Sequence, residues 1–203
     1  MFISQQISKN IVDILVENHT IEENKREIYI YCYDYIIEQI LYTAIQLTIA
    51  ALMHELIISC LFILMFFPMR YYGGGIHAPT ERSCVITSSI VYLAILFLAP
   101  VIAPYHSILW FFAFILSCAV IIILAPVDTP NKRLNRGQKK HMKKNCVLYC
   151  IFFSLMIIIL FYSRYNLYYG TLAICAILIA ISMLLGALTN RLEARYDTEN
   201  CNM

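Results

Sequence analysis

Charge is what this 203-residue sequence has least of, because Asp, Glu, Lys and Arg together make up only 14% of it. Soluble domains carry about 25% charged residues. A chain of this size cannot bury a composition that is 61% hydrophobic, since small globules keep a large surface. The same composition excludes a disordered chain, a collagen and a DNA-binding module. The sequence therefore predicts an integral membrane protein.

Paired cysteine motifs are also missing, although the chain has eight cysteines. No Cys-x-x-Cys sequence occurs, so neither a zinc site nor a thioredoxin-type site is indicated. Most cysteines lie in apolar stretches, where a free thiol packs as a small hydrophobic side chain. We therefore predict no metal, no cofactor and no disulfide framework. The N-terminus lacks the basic start and continuous apolar region of a signal peptide.

The few charges are unevenly distributed. Residues 1–40 hold three bases and seven acids, whereas residues 126–146 hold seven bases and one acid, a net charge of +6. The basic run is typical of a cytoplasmic loop under the positive-inside rule. It is too short and too poor in aromatic residues to indicate nucleic-acid binding. Contact with anionic membrane lipids is expected from Lys139, Lys140, Lys143 and Lys144.

Long uncharged stretches predict an all-α, polytopic transmembrane helix bundle with five or six spans, since a spanning helix needs about 20 apolar residues. The five predicted spans are Gln39–Met69, Cys84–Ala99, Ile108–Ala125, Asn145–Ser163 and Thr171–Asn190. The first stretch is interrupted only by His54-Glu55, and residues 28–69 either cross once or double back. A sixth span forms if residues 28–40 enter the membrane separately. Pro100 and Pro104 divide the second span from the third.

A single membrane domain, residues 1–203, is predicted to have three parts. Residues 1–38 form amphipathic interfacial helices, 39–190 the transmembrane bundle and 191–203 a cytoplasmic tail. The first helix, Met1–Glu17, carries an apolar face that suits a membrane interface. This face consists of Ile3, Ile7, Ile11, Ile14 and Leu15. The sequence Thr20-Ile21-Glu22-Glu23 predicts a capping box that starts the second helix.

Three of the six glycines are consecutive, at Gly73–Gly75, between two predicted spans. Glycine adopts positive φ and allows close backbone approach, so the triplet indicates a sharply bent loop. Such a loop is either a flexible interhelical turn or a site lined by backbone groups.

His77 and Cys84 follow the glycines and have the residue types of a cysteine nucleophile and its base. One continuous helix would separate them by about 10 Å, which is too far for proton transfer. Pro79 also disfavours a helix through the residue before it. We predict a helix that begins near Pro79–Thr80 and has Cys84 in its first turns, with His77 on the preceding loop. The alternative is a packed cysteine and a polar loop histidine.

These residues match the pattern of a known family. The sequence Arg70-x-x-x-Gly74-Gly75-x-His77-Ala78 followed by Cys84 resembles the signature of the accessory gene regulator protein B (AgrB) family. Residues 124–133, Leu-Ala-Pro-Val-Asp-Thr-Pro-Asn-Lys-Arg, resemble the family's stretch before its basic cytoplasmic loop. Members are bacterial membrane cysteine endopeptidases that process the peptide precursor of a quorum-sensing signal. The resemblance covers nearly the whole chain except the N-terminal forty residues.

The resemblance implies that Cys84 is the nucleophile and His77 its base, with Arg70, Gly74 and Gly75 as supporting residues. The implied substrate is a small amphipathic precursor, cleaved through a thioester on Cys84 and released as a thiolactone autoinducing peptide. The leader of this precursor is the alternative contact for Lys139, Lys140, Lys143 and Lys144. The implied location is the bacterial cell membrane, with the catalytic loop facing the cytoplasm. A homodimer is also implied.

The roles of two acidic residues and two other classes of function stay open. Asp128 either orients His77 or caps a local turn. Glu55, next to His54, is predicted in mid-span, where an ionisable group is a functional candidate. No second histidine completes a zinc-protease motif here, so a zinc protease is rejected. We expect Glu55 to be buried, paired or protonated and to order the bundle. A small transporter or peptide exporter using Glu55 and the Gly73–Gly75 break is the alternative function, and a scaffold without chemistry is the third.

Overall fold

The computed structural model describes residues 2–75, 81–105, 107–127 and 135–200, with the backbone alone at 2–3, 81–84, 107 and 193–200. Within these ranges the regular structure is helical, apart from one isolated β-bridge. The helices are α1 (Phe2–Glu17), α2 (Arg26–Leu52), α3 (Leu56–Gly73), α4 (Glu81–Ile102), α5 (Ser107–Leu124), α6 (Arg136–Tyr162) and α7 (Asn166–Asn200). The predicted all-α class is confirmed.

Five helical segments in the described chain are long and apolar enough to cross a membrane. They are Glu23–Leu52, Leu56–Gly73, Val85–Ile102, Arg136–Tyr162 and Asn166–Leu192. The helix Ile108–Leu124 is also apolar but shorter. These helices confirm a polytopic bundle, and α7 continues beyond its apolar part to Asn200.

The prediction of one span over Gln39–Met69 is wrong, because the chain breaks between α2 and α3. His54 has a left-handed backbone conformation with φ 61°. Its N–H donates to the carbonyl of Ala51 at 3.1 Å, which closes the end of α2. A left-handed residue commonly ends a helix in this way. Hydropathy cannot reveal such a break, since the residues on both sides are apolar.

Met1–His54 forms the first of two compact units and consists of α1 packed on α2. The fully buried residues of α1 recur every four positions and are Ser4, Ser8 and Val12. The Ser4 hydroxyl donates to Glu38 on α2 at 3.3 Å. Ile7 and Ile14 of the predicted apolar face are exposed, as an interfacial helix requires. Helix α2 runs without a break through residues 38 and 39, where the predicted interfacial segment ends.

The predicted capping box at Thr20 is wrong, because Thr20 belongs to the end of α1. His19 has a left-handed φ of 56°. The N–H groups of Thr20 and Ile21 then donate to the carbonyl of Leu15 at 2.9 and 3.3 Å. A short 3-10 turn follows Glu22, whose side chain makes no capping hydrogen bond.

Glu55–Met203 forms the second compact unit, and α7 is its central helix. Helix α7 contacts each of α3, α4, α5 and α6. Its buried face is rich in small residues, including Ala173, Cys175, Ala176 and Ala180. Small side chains allow apolar helices to approach closely in a membrane. One close approach is at Gly170, where an added Cβ would lie 2.8 Å from the carbonyl oxygen of Ala103.

The basic segment is more helical than predicted. Helix α6 begins at Arg136, so five of the seven bases expected in a loop over 126–146 lie on its first turns. Lysine, arginine and glutamine are good helix formers. The helix start is stabilised by Gln138, whose side-chain oxygen accepts a hydrogen bond from the Asn135 N–H at 3.0 Å.

Replacing Gly170 with alanine should destabilise the second unit. The new Cβ would meet the Cβ, carbonyl oxygen and Cα of Ala103 at 2.7–3.0 Å, and backbone cannot move aside as a flexible side chain can. Overpacking of this kind costs about 1–3 kcal/mol. Gly137→Ala is the matched control, because nothing lies within 4 Å of a Cβ at that position. The midpoint temperature of thermal unfolding in detergent should fall for Gly170→Ala and not for Gly137→Ala. Equal midpoint temperatures for the two variants would contradict this packing.

Candidate functional site

The centre of the candidate site is the chain just after α3. The helix ends at Gly73, and the next two residues have positive φ, 75° at Gly74 and 130° at Gly75. These values strain any residue with a side chain, so the prediction of a sharply bent glycine loop is confirmed. Gly73 and Gly75 are buried, which excludes a freely solvated turn.

The glycine loop is joined to the chain that follows α5. Gly74 and Val127 form an isolated parallel β-bridge, and the Val127 N–H donates to the Gly73 carbonyl at 2.9 Å. A Cβ at position 74 would lie 2.4 Å from the Val127 carbonyl oxygen. The Ala125–Pro126 peptide bond just before Val127 is cis. Backbone contact therefore joins the two segments that carry the resemblance.

Arg70 holds the glycine loop through both its main chain and its side chain. Its carbonyl accepts a hydrogen bond from the Gly74 N–H at 3.1 Å. Its guanidinium donates to the hydroxyl of Ser182 on α7 and lies 5.9 Å from the ring centroid of Phe66. The supporting residues Arg70, Gly74 and Gly75 are thus brought together at one place.

Aromatic rings connect the end of α3 to α6 beside this loop. Tyr72 stacks on Tyr149 with ring centroids 5.6 Å apart, and Tyr71 meets Tyr72 edge to face at 5.0 Å. Tyr149 in turn lies 6.5 Å from Phe153, which is fully buried. The glycine loop is therefore attached to a packed part of the bundle.

The predicted catalytic residues are described to different extents. His77 lies in residues 76–80 and Asp128 in residues 128–134, both outside the described chain. Cys84 is described by its backbone, which is in the first turn of α4 because that helix begins at Glu81. The predicted helix start near Pro79–Thr80 also lies outside the described chain, and α4 is described from Glu81 onward.

The prediction that Glu55 lies in mid-span is wrong. Glu55 is the residue before α3, with φ −114° and ψ 33°, and its side chain makes no capping hydrogen bond. It is half-buried, and the adjacent His54 is exposed. The transport alternative relied on an ionisable group inside a span, and the structure places this one between two helices.

Three site residues were missed by reasoning from the sequence. Ser182 and Met183 lie on α7 under the glycine loop, and Val127 is paired with it. A serine in an apolar helix reads as a small core residue, so only the extended run Ala-Pro-Val carried any signal. In the described ranges, no group of three or more His, Cys, Asp or Glu side chains is placed to hold a metal ion.

The fold and the glycine loop define a polytopic, all-helical membrane protein in which the chain after one helix is paired with a distant segment. A family model for Accessory gene regulator B (AgrB) matches residues 8–188. The chain therefore belongs to the AgrB family and is a multi-pass membrane protein of quorum sensing. Comparisons with curated proteins and with solved structures find no significant match.

Gly74→Ala should open the contact between the glycine loop and Val127. Alanine at φ 75° is strained, and its Cβ would clash with the Val127 carbonyl oxygen. Hydrogen exchange of the Val127 amide should become faster, by about tenfold or more for a loss near 1.4 kcal/mol. Gly73→Ala is the control, because its Cβ would meet the flexible end of Met183 at 3.2 Å. Unchanged exchange in Gly74→Ala would show that the bridge does not depend on glycine.

Proposed function

We propose that this chain, as a homodimer, is a membrane-embedded cysteine endopeptidase that cleaves a small amphipathic precursor of a quorum-sensing peptide. Membership of the AgrB family supports a role in accessory gene regulation and a peptide precursor as substrate. The observation that carries the finer proposal is the backbone pairing of Gly74 with Val127. His77 follows Gly75 by two residues, and Asp128 follows Val127 directly.

In this proposal, Cys84 is the nucleophile. Its backbone is in the first turn of α4. The positive end of a helix dipole favours an anion there, and thiolates at helix N-termini are stabilised for the same reason. His77 is the proposed base, and it stands on the short segment that connects the glycine loop to this helix.

The proposed reaction consists of two acyl transfers, first from the amide nitrogen to the Cys84 sulfur and then to a sulfur of the precursor. The Cys84 thiolate attacks the scissile carbonyl, the C–N bond breaks, and His77 gives a proton to the leaving amine, which leaves a thioester. A cysteine thiol of the bound precursor then gives its proton to His77 and takes the acyl group. The cyclic thiolactone leaves and the Cys84 thiolate is restored. Exclusion of water is required, because hydrolysis would give a linear product.

Backbone N–H groups of the glycine loop and of the start of α4 are the two candidate donors for an oxyanion hole, and those of α4 are favoured. The Gly74 N–H is already donated to the Arg70 carbonyl at 3.1 Å. The first four N–H groups of any helix lack intrahelical partners. In α4 these groups belong to residues 81–84, next to the proposed nucleophile. Such donors stabilise the charge that develops on a tetrahedral intermediate.

Cys84→Ala should reduce cleavage of the precursor to background without loss of membrane insertion, because it removes the attacking atom. His77→Ala should slow cleavage by about a hundredfold or more, as loss of a general base does. Cys60→Ala is the matched control, since Cys60 is an exposed free thiol on α3. Cleavage is measured by mass spectrometry of co-expressed precursor. Mature peptide from Cys84→Ala cells would refute the protease.

The proposed orientation places the basic start of α6 in the cytoplasm. Its charges lie on exposed helical turns that suit anionic lipid or an acidic part of the precursor. Lys140→Cys, in the first turns of α6, and Tyr165→Cys, just beyond its end at Tyr162, are matched exposed positions. In intact cells, a membrane-impermeant maleimide should label Tyr165→Cys and should reach Lys140→Cys only after permeabilisation. The opposite pattern would reverse the topology and move the proposed site outside the cell.

A further inference from the structure

Ser182 is a polar residue of α7 that lies directly under the glycine loop. Its hydroxyl accepts a hydrogen bond from the Arg70 guanidinium, which comes from the last turn of α3. Several other hydroxyls in the spans bond to the carbonyl four residues earlier in their own helix, as Ser154 does with Cys150 at 2.7 Å. The Ser182 hydroxyl instead joins two different helices.

Gly75 rests on this pair of side chains. A Cβ at position 75 would lie 2.8 Å from the Ser182 hydroxyl oxygen, 2.9 Å from Arg70 Nη1 and 3.3 Å from the Ser182 carbonyl oxygen. Contacts this close mean that Arg70 and Ser182 form the surface against which the Gly75 backbone packs. A Cβ at position 73 would likewise lie 3.2 Å from the sulfur of Met183, the next residue of α7.

The hydrogen bond involves a charged donor in an apolar part of the chain. Hydrogen bonds with one ionised partner are stronger than neutral ones. Removing the acceptor leaves a half-buried guanidinium N–H without this partner, and the group then moves to find another. Because the Arg70 carbonyl also binds the Gly74 N–H, movement of Arg70 would be passed to the loop through both contacts.

We propose that Ser182 is a positioning residue, which holds Arg70 beneath Gly75 and so fixes the point where the His77 segment begins. The proposal rests on the proposed function for its catalytic consequence, and on the loop contacts alone for its structural part. Ser182 acts through Arg70 and Gly75, and it is assigned no contact with the reacting atoms. Misalignment of a catalytic segment lowers the rate of the chemical step more than the binding of a remote part of the substrate.

The test compares Ser182→Ala with Ser182→Thr and with Ser154→Ala in the full chain in detergent or vesicles. Ser182→Ala should lower kcat for precursor cleavage by about tenfold and leave KM within about twofold. Ser182→Thr, which keeps the hydroxyl, should restore most of kcat. Ser154→Ala should resemble the wild type, because it removes only a bond within α6. Equal losses for the two alanine variants, or a loss confined to KM, would overturn the proposal.

Hydrogen exchange of the 70–75 segment provides a second measurement that needs no substrate. Exchange should be faster in Ser182→Ala than in the wild type and in Ser154→Ala. Unchanged exchange would overturn the proposal whatever the cleavage result. If Cys84→Ala still releases the peptide, the proposed function fails separately. Exchange then decides the structural part alone: faster exchange in Ser182→Ala supports it, and unchanged exchange overturns it.

Discussion

The need to satisfy backbone polar groups where apolar helices stop governs the site of this protein. In an apolar environment a broken helix is stable only if its freed N–H and C=O groups find partners in the protein. Helix α3 stops at Gly73 and α5 stops at Leu124, and the chain after α5 supplies a partner to the end of α3. The bond from the Val127 N–H to the Gly73 carbonyl, at 2.9 Å, joins the two breaks. The position of the glycine loop therefore depends on the hydrogen bond between the end of α3 and the chain that follows α5.

Helix α7 connects this constraint to the rest of the second unit. Near one end, Gly170 allows the backbone of Ala103 to approach, and twelve residues later Ser182 lies under the glycine loop. At 1.5 Å per residue these two contacts are about 18 Å apart along the helix. Helix α7 also contacts every other helix of the unit. Its contacts therefore fix the position of the glycine loop along the axis of α7.

Much of the fold could be predicted from the sequence, and the failures have local physical causes. Charge-free stretches located the helices of the second unit, and proline chemistry placed Cys84 in the first turn of α4. His54-Glu55 was visible as an interruption, but the sequence could not show that a left-handed His54 ends α2 there. The capping function of Thr20 was misassigned because its N–H completes the preceding helix. Local patterns could not decide which of two neighbouring helices uses the same residue.

The candidate site was predictable in its residue types but not in its connections. The glycines, Arg70 and the Pro-Val run were visible as unusual residues between spans. Their contacts join positions more than fifty residues apart, such as Gly74 with Val127 and Arg70 with Ser182. No periodicity or spacing in one sequence carries that information. The packing of α3 against α7 brings Arg70 to Ser182, and the chain after α5 brings Val127 to Gly74.

Different neighbours exclude a side chain at Gly74 and at Gly75. These contacts distinguish the structural residues of the family signature from the proposed catalytic ones. At Gly74 the backbone conformation and the Val127 carbonyl both exclude a side chain. Gly75 also has a positive φ of 130°, and the space that a side chain would need there is filled by Arg70 and Ser182. Neither reason involves a reacting atom. Arg70 and the two glycines thus build a fixed platform, and a reactive role in this segment is left to the proposed pair, His77 and Cys84.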